Sequence, residues 1–101
     1  MKLLTEEIKK ALPALYSREK HDGEEARFVC KFFDPCGSWT WYVMEGDERE
    51  DRDWLFYGLV DGHEKEWGYF MLSELQSVKG PLGLGIERDI FFEDEKAAKY
   101  V

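Results

Sequence analysis

The sequence predicts an α+β fold, in which a single domain contains an antiparallel meander sheet of four to five strands. An amino-terminal helix is expected to pack on one face of the sheet, and a short helix is expected before the last strand. Three observations lead to this prediction. Leucine and isoleucine recur at helical spacing near the amino end, four aromatic-rich runs follow, and tight-turn residues separate neighbouring runs. Strands joined by tight turns pair antiparallel, which gives the meander.

The size and composition of the chain fit one globular domain over residues 1–101. Its hydrophobic share is 44% and its aromatic share is 16%, which provides enough apolar surface for one core. No run approaches the roughly 18 to 20 apolar residues of a membrane helix, and the amino end lacks the apolar stretch of a secretion signal. We therefore expect a cytoplasmic protein with no membrane contact, in which Cys30 and Cys36 are reduced thiols.

The first helix is predicted to begin at Thr5, whose hydroxyl can cap it, and to end near Leu12 because Pro13 follows. Acidic residues in the first turn complement the helix dipole. The apolar residues on one face of this helix should lie on the sheet, and they are Leu4, Ile8, Leu12 and Leu15.

The four aromatic-rich runs are predicted to be consecutive strands of the meander. A hairpin turn over Asp34–Ser38 joins the first two, since Pro35 fixes one dihedral angle and Gly37 permits a positive one. Alternation places Trp39, Trp41 and Val43 on one face of the second strand. Because the helix covers only one face, aromatic residues of the other face should be partly exposed. The runs are Arg27–Phe33, Trp39–Glu45, Asp53–Gly62 and Glu64–Leu72.

The remaining part of the chain predicts a helix, a glycine-rich loop and a strand. Ser73 is expected to cap a helix over Leu72–Val78, and the last strand should run from about Ile86 to Phe92. The tail from Glu93 onwards is expected to form a helical turn. The loop Gly80–Gly85 lacks the lysine and serine of a phosphate-binding loop and leads into a strand, so no cofactor is predicted.

The net charge of −8 is concentrated in the later part of the chain. Residues 1–44 contain seven acids and seven bases, whereas residues 45–101 contain fifteen acids and seven bases. The segment Glu45–Asp53 contributes six acids against two arginines and is predicted to be a solvated loop. This charge disfavours direct nucleic-acid binding and favours a basic partner, although solubility alone is an alternative explanation.

Patterns for catalysis or metal binding are sparse. His21 and His63 lie in polar turns with no cysteine or second histidine at ligand spacing, so no metal site is predicted. Glu87 and Asp89 share one face of the last strand, where they can serve as an acid and base or simply as ion-pair partners. No complete catalytic constellation is present, and the sequence leaves enzymatic activity open.

Four blocks in this order resemble the DUF2958 family of small uncharacterised bacterial and phage proteins: LLTEEIKKALPALYS, KFFDPCGSWTWYVME, WLFYGLVDGHEKEWGYFMLSEL and VKGPLGLGIERDIFF. The resemblance covers nearly the whole chain. It implies a leading helix, an aromatic hairpin over Lys31–Trp41, a strand running into a helix over Gly68–Leu75, and the ending Gly80–Asp89. It implies no established activity, and it suggests an association with plasmids, phages and conjugative elements.

Two functions from different classes are therefore considered. The first is a non-enzymatic interaction module, for example a phage or mobile-element accessory protein that binds a basic surface of a host factor such as a nucleic-acid-binding defence protein. Its candidate contact residues are Glu45, Asp47, Glu48, Glu50, Asp51 and Asp53. The second is a small-ligand-binding protein or enzyme that uses an aromatic sheet face. Its candidate residues are Trp39, Trp41, Trp54, Trp67, Glu87, Arg88 and Asp89. A homo-oligomer is compatible with either function.

Overall fold

The computed structural model describes residues 2–17, 26–96 and 100, and its α+β architecture confirms the predicted fold class. A five-stranded antiparallel sheet has the spatial order β5-β4-β3-β2-β6, and β1 and β7 form a separate two-stranded ribbon. The meander β2 to β5 is as predicted. The α-helices are α1 Glu6–Ala11 and α2 Leu72–Ser77, and a short 3-10 turn spans Pro81–Gly83. The strands are β1 Arg27–Phe28, β2 Cys30–Phe33, β3 Thr40–Glu48, β4 Trp54–Asp61, β5 Lys65–Met71, β6 Glu87–Arg88 and β7 Glu95–Lys96.

Both helices lie on the same face of the large sheet, which we call the helix face. The Thr5 hydroxyl accepts a hydrogen bond from the Ile8 N–H at 3.2 Å, which confirms the predicted helix start. Ile8 and Leu12 pack against the helix-face core, but their side chains are only partly buried. The two leucines before α1 are buried more deeply, so the amino-terminal segment as a whole covers this face. The buried core residues are Leu3, Leu4, Cys30, Phe32, Val43, Phe56, Phe70, Leu75 and Ile86.

A β-bulge at Met44 reverses the alternation of side chains along β3. Val43 lies opposite Gly58 of β4, but Glu45 lies opposite Tyr57, so one extra residue of β3 is accommodated between these two pairs. Simple alternation would place Glu45 on the helix face with Val43. The bulge places it on the opposite face instead, and β3 continues to Glu48, beyond the predicted end.

The opposite face of the sheet is covered by the β1–β7 ribbon, and we call it the ribbon face. Phe28 of β1 is completely buried and packs on Tyr42, with ring centroids 5.2 Å apart. Phe92 and Tyr100 pack against the same cluster. The prediction that the aromatic residues of this face are partly exposed is therefore wrong for Tyr42, although Tyr69 is 51% exposed.

The predicted single first strand is interrupted at Val29, which allows β1 to leave the large sheet and pair with β7. The predicted last strand is shorter than expected. It ends at Arg88, and Asp89 then starts a turn in which its backbone carbonyl accepts from the Phe92 N–H at 3.2 Å. Its side chain accepts from the Phe91 N–H at 2.9 Å. The tail is also not helical where it is described, because Glu95–Lys96 form β7.

Within the described ranges, neither helix is long and apolar enough to cross a lipid bilayer.

Candidate functional site

Three of the six acids in the Glu45–Asp53 segment accept hydrogen bonds from distant parts of the chain, and two of these lie on β3. Glu45 is only 1% exposed and accepts hydrogen bonds from the Tyr16 N–H at 3.1 Å and the Ser17 hydroxyl at 3.4 Å. Asp47 accepts from the Leu15 N–H at 3.0 Å. The two carboxylates fix the chain that follows α1, so the prediction of a solvated loop beginning at Glu45 is wrong.

The third internally used acid is Asp53, which caps α2 from a distant part of the chain. Its carboxylate accepts from the Ser73 N–H at 3.1 Å, from the Ser73 hydroxyl and from the Trp54 N–H at 2.8 Å. The Ser73 hydroxyl bond, partly offset by desolvation and aided by the two backbone N–H groups, holds the pKa of Asp53 below its usual range. The prediction that Ser73 caps α2 is therefore wrong. Met71 occupies the cap position, and Glu74 accepts its N–H at 2.8 Å.

The other three acids, Glu48, Glu50 and Asp51, are exposed at the tip of the β3–β4 hairpin. The tip has a fixed backbone. The Arg49 N–H donates to the Asp53 carbonyl at 2.7 Å, and the Arg52 N–H donates to the Arg49 carbonyl at 2.9 Å. Asp51 also accepts from the Asp53 N–H at 3.0 Å. The tip thus presents carboxylates and two arginines on a turn that is already ordered.

The four tryptophans of the predicted aromatic face do not form one surface. Trp41 and Trp54 pack against the helix-face core, whereas Trp67 packs against the ribbon-face core. Trp39 precedes β3 and lies at a tilt beside Trp41, with ring centroids 6.1 Å apart. The sheet itself separates Trp67 from the other three, because successive residues of a strand point to opposite faces.

Glu87, Arg88 and Asp89 lie at the β6 edge, and contacts within the fold use two of them. Arg88 donates through Nη1 to the Lys2 carbonyl and, at 3.1 Å, to the Leu3 carbonyl, which ties down the amino-terminal segment. Asp89 forms an ion pair with Lys31 at 3.7 Å. Both residues line an open groove of about 510 Å³ beside α1. Their contacts support the ion-pair interpretation over an acid–base role.

The groove is also lined by Cys30, whose side chain is buried. Burial raises the pKa of the Cys30 thiol to about 12, although the Arg88 charge opposes this shift. A thiol with so high a pKa is not a nucleophile at neutral pH. Both cysteines are free thiols, as predicted, with Cys30 buried and Cys36 exposed.

A second cavity, of about 310 Å³, lies at the end of the sheet opposite the hairpin tip, and we call it the Trp39 cavity. It is lined by Trp39, Val60, His63, Glu64 and Glu66. The His63 ring meets the Trp39 ring edge-on, with centroids 5.5 Å apart at an interplanar angle of 80°. The sequence indicated only a polar turn at His63 and gave no local reason to select either glutamate. A usable signal was present, because a meander with tight turns brings the start of β3 beside the β4–β5 turn.

Metal ligation has no geometric support in the part of the chain that is described, because no group of three or more His, Cys, Asp or Glu side chains converges there. His63 contacts an aromatic ring instead. His21, the other histidine considered as a ligand, lies outside the described residues.

Comparison with known proteins identifies the family. The profile of a family described as "Protein of unknown function (DUF2958)" matches residues 3–101. The chain belongs to the DUF2958 family. No curated protein and no solved structure matches the chain. Because the family description states no activity, membership leaves the function to be inferred from the geometry.

The blocks that carry the family resemblance have clear structural roles in this DUF2958 member. In the β2–β3 turn, the Asp34 side chain accepts the Cys36 N–H at 2.9 Å and the Asp34 N–H donates to the Trp39 carbonyl at 3.0 Å. In the glycine-rich block, the Gly80 N–H donates to the Leu84 carbonyl at 2.6 Å, which closes a tight loop. Leu82 in this loop adopts a φ of 63° and is 96% exposed. These blocks therefore build turns, and no phosphate-binding helix follows the glycines.

Proposed function

We propose that this protein is a non-enzymatic interaction module that binds a positively charged surface of another protein. The observation that carries the proposal is the division of the acidic segment. Glu48 and Glu50 project from an ordered hairpin tip, whereas Glu45, Asp47 and Asp53 are already bound within the fold. Acids held on an ordered turn lose little conformational entropy when a partner binds them.

The reactive side chains that were considered for catalysis are engaged in structural contacts, which supports an interaction module over an enzyme. Cys30 is buried with a raised pKa, and Asp89 is paired with Lys31. Arg88 holds the amino-terminal segment. Trp41 and Trp54 pack against the helix-face core and Trp67 packs against the ribbon-face core, so the four tryptophans do not form one ligand-binding face. The small-ligand alternative therefore lacks the shared surface on which it depended.

A basic nucleic-acid-binding host protein fits the proposed partner, because such proteins carry patches of lysine and arginine that recognise phosphates. An acidic module can occupy such a patch and block it. The family resemblance suggests an association with phages and mobile elements, and this use agrees with that expectation. It remains part of the proposal.

The test is affinity capture from a host lysate, with the full chain immobilised, at low and at high ionic strength. The tip variant Glu48→Gln/Glu50→Gln avoids the three acids that hold the fold. Its matched control is Glu7→Gln/Glu93→Gln, which removes the same charge from exposed positions elsewhere. We expect the native protein and the control to retain basic proteins at low salt only, and the tip variant to lose them. Capture that is equal for the tip variant and the control contradicts the proposal.

A further inference from the structure

We propose that the Trp39 cavity binds the guanidinium group of an arginine side chain that a protein partner supplies. This inference rests on the proposed function, and it specifies the chemical group that such a partner presents. The cavity lies at the opposite end of the sheet from the acidic hairpin tip, so it is a separate point of contact.

The first argument is the fixed position of the Trp39 ring. The ring lies at a tilt beside Trp41 and nearly perpendicular to His63, with centroid distances of 6.1 and 5.5 Å. The ring also lies directly on the backbone of Gly62, where an added Cβ would be 2.5 Å from the Trp39 ring atoms Cη2 and Cζ3. Trp39 nevertheless remains 37% exposed. Because Trp39 lines the cavity and these contacts hold it in place, the part of its ring that faces the cavity needs no reorganisation before a cation binds.

The second argument is the charge around that ring. Glu64 and Glu66 are exposed and line the cavity. Glu66 lies opposite Val60 of β4, and Val60 in turn lies opposite Trp41 of β3, so this row of side chains leads across the helix face to the tryptophans. Lys65, between the two glutamates, does not neutralise them there, because its Nζ donates to the Tyr100 carbonyl at 2.6 Å. Among the described residues that line the cavity, none is a lysine or arginine.

The third argument concerns which cation fits this combination. A guanidinium group is planar, so it can stack on an indole ring while its edge donates two parallel hydrogen bonds to a carboxylate. A lysine ammonium cannot do both with the same geometry. A metal ion is disfavoured because these side chains do not form a group of three converging ligands among the described residues. The cavity therefore favours arginine.

The test uses N-acetyl-argininamide as the probe and follows the Trp39 indole N–H by NMR, with the signal assigned through Trp39→Phe. We expect a saturable shift of that signal and a smaller response to N-acetyl-lysinamide. N-acetyl-citrullinamide, which has nearly the same shape without the charge, should give no saturable shift. A response to citrulline equal to that of arginine, or no saturable response to arginine, overturns the proposal.

Two variants that remove equal charge from opposite ends of the sheet locate the site. Glu64→Gln/Glu66→Gln should weaken binding of N-acetyl-argininamide about tenfold, because both carboxylates of the cavity are lost. Glu48→Gln/Glu50→Gln should leave the same affinity within about twofold, because it changes only the distant field, which salt screens. Equal weakening in both variants overturns the assignment to the Trp39 cavity.

Gly62→Ala tests whether the placement of Trp39 matters. The added methyl group must displace the ring, so we expect weaker argininamide binding and a changed Trp39 signal, with the rest of the spectrum retained. Gly68→Ala is the control, because a Cβ there meets nothing within 4 Å. If Gly62→Ala moves the Trp39 signal but leaves the affinity unchanged, stacking on Trp39 is not part of binding and the proposal fails.

The failure of this inference can be told apart from the failure of the proposed function. Salt-sensitive capture that is lost in the tip variant, together with no argininamide binding, rejects the cavity and keeps the interaction module. Argininamide binding at Trp39, together with capture that the tip variant does not affect, keeps the cavity and contradicts the proposed function, in which the hairpin tip is the contact surface.

Discussion

The acids of the Glu45–Asp53 segment form two groups that differ in what surrounds them and not in residue type. Glu45, Asp47 and Asp53 accept backbone N–H groups from distant parts of the chain, whereas Glu48, Glu50 and Asp51 lie exposed at the hairpin tip. The first group therefore stabilises the fold, whereas the second is exposed to a partner, with Asp51 also accepting the Asp53 N–H inside the tip. Charge counts along a sequence cannot separate these roles, because both groups contribute the same formal charge.

The largest expected effect comes from disturbing the bulge that turns Glu45 inward. Gly58→Ala places a Cβ 1.8 Å from the Tyr42 carbonyl oxygen, a backbone atom that cannot move unless β3 moves. We expect the free energy of unfolding, measured in urea, to fall by about 3 kcal/mol or more. Gly68→Ala is a matched control, because Gly68 lies opposite Gly58 on β5 and its added Cβ contacts nothing within 4 Å. A similar, small effect of both substitutions would show that β3 and β4 are not held at this close approach.

Removing one acid from each group compares them directly. Glu45→Ala leaves the Tyr16 N–H without its carboxylate partner and creates a buried gap, so we expect a loss of about 2 kcal/mol in the free energy of unfolding. Glu48→Ala, on the same strand but exposed, should change it by less than about 0.5 kcal/mol. Equal effects in chemical denaturation would remove the distinction between the two groups.

The pH dependence of stability sharpens the comparison at Asp53. The pKa of this carboxyl is below its ordinary value of 3.8 in the folded protein, so its ionised form stabilises the fold above that value. The contribution should be lost as the pH falls through the lowered pKa. At pH 7 the free energy of unfolding of Asp53→Ala should therefore be lower than that of the native protein, by a smaller amount than for Glu45→Ala. The difference between Asp53→Ala and the native protein should shrink towards zero in acid.

Glu50→Ala is the control for this pH series, because Glu50 belongs to the same acidic segment as Asp53 but is exposed at the hairpin tip. Its melting temperature should follow that of the native protein across the pH range. A difference between native protein and Asp53→Ala that persists unchanged in strong acid would mean that the Asp53–Ser73 cap does not act through ionisation.

The smallest effect is expected for the tip variant Glu48→Gln/Glu50→Gln. Its free energy of unfolding should lie within about 0.5 kcal/mol of the native value, and added salt should reduce the difference further. Calorimetry at two ionic strengths measures this. A large destabilisation would place these glutamates with the structural acids and would weaken the proposed function.

The sequence predicted the elements whose causes are local. Thr5 caps α1 as expected because the hydroxyl and the Ile8 N–H lie three residues apart. The β2–β3 turn forms where Pro35 and Gly37 indicated. The prediction failed where a distant partner decides the outcome. Ser73 was the obvious cap by sequence, but the Asp53 carboxylate, which lies 20 residues earlier in the chain, binds its N–H and hydroxyl.

The candidate sites were predictable only in part. Trp39 and Trp41 were selected from the sequence, but their partners Glu64 and Glu66 were not, because the contact requires the register of three strands. The predicted solvated loop is confirmed for the exposure of Glu48, Glu50 and Asp51 and is wrong for Glu45, because β3 continues through Glu45 and the bulge at Met44 places its carboxylate beside the Tyr16 N–H. A pattern with a period of two cannot reveal such an insertion unless the paired strand is known.

By itself, the sequence determined the class of the fold, the order of the meander strands and the start of the first helix. Hydrophobic periodicity, turn residues and a capping hydroxyl act over a few neighbouring positions, and the chain carries them all. Only the tertiary structure decided which carboxylates turn inward, that β1 pairs with β7 to cover the second face, and that Trp39 lies against the β4–β5 turn. These outcomes depend on contacts between residues far apart in sequence, whose free energies exist only when the strands are in register.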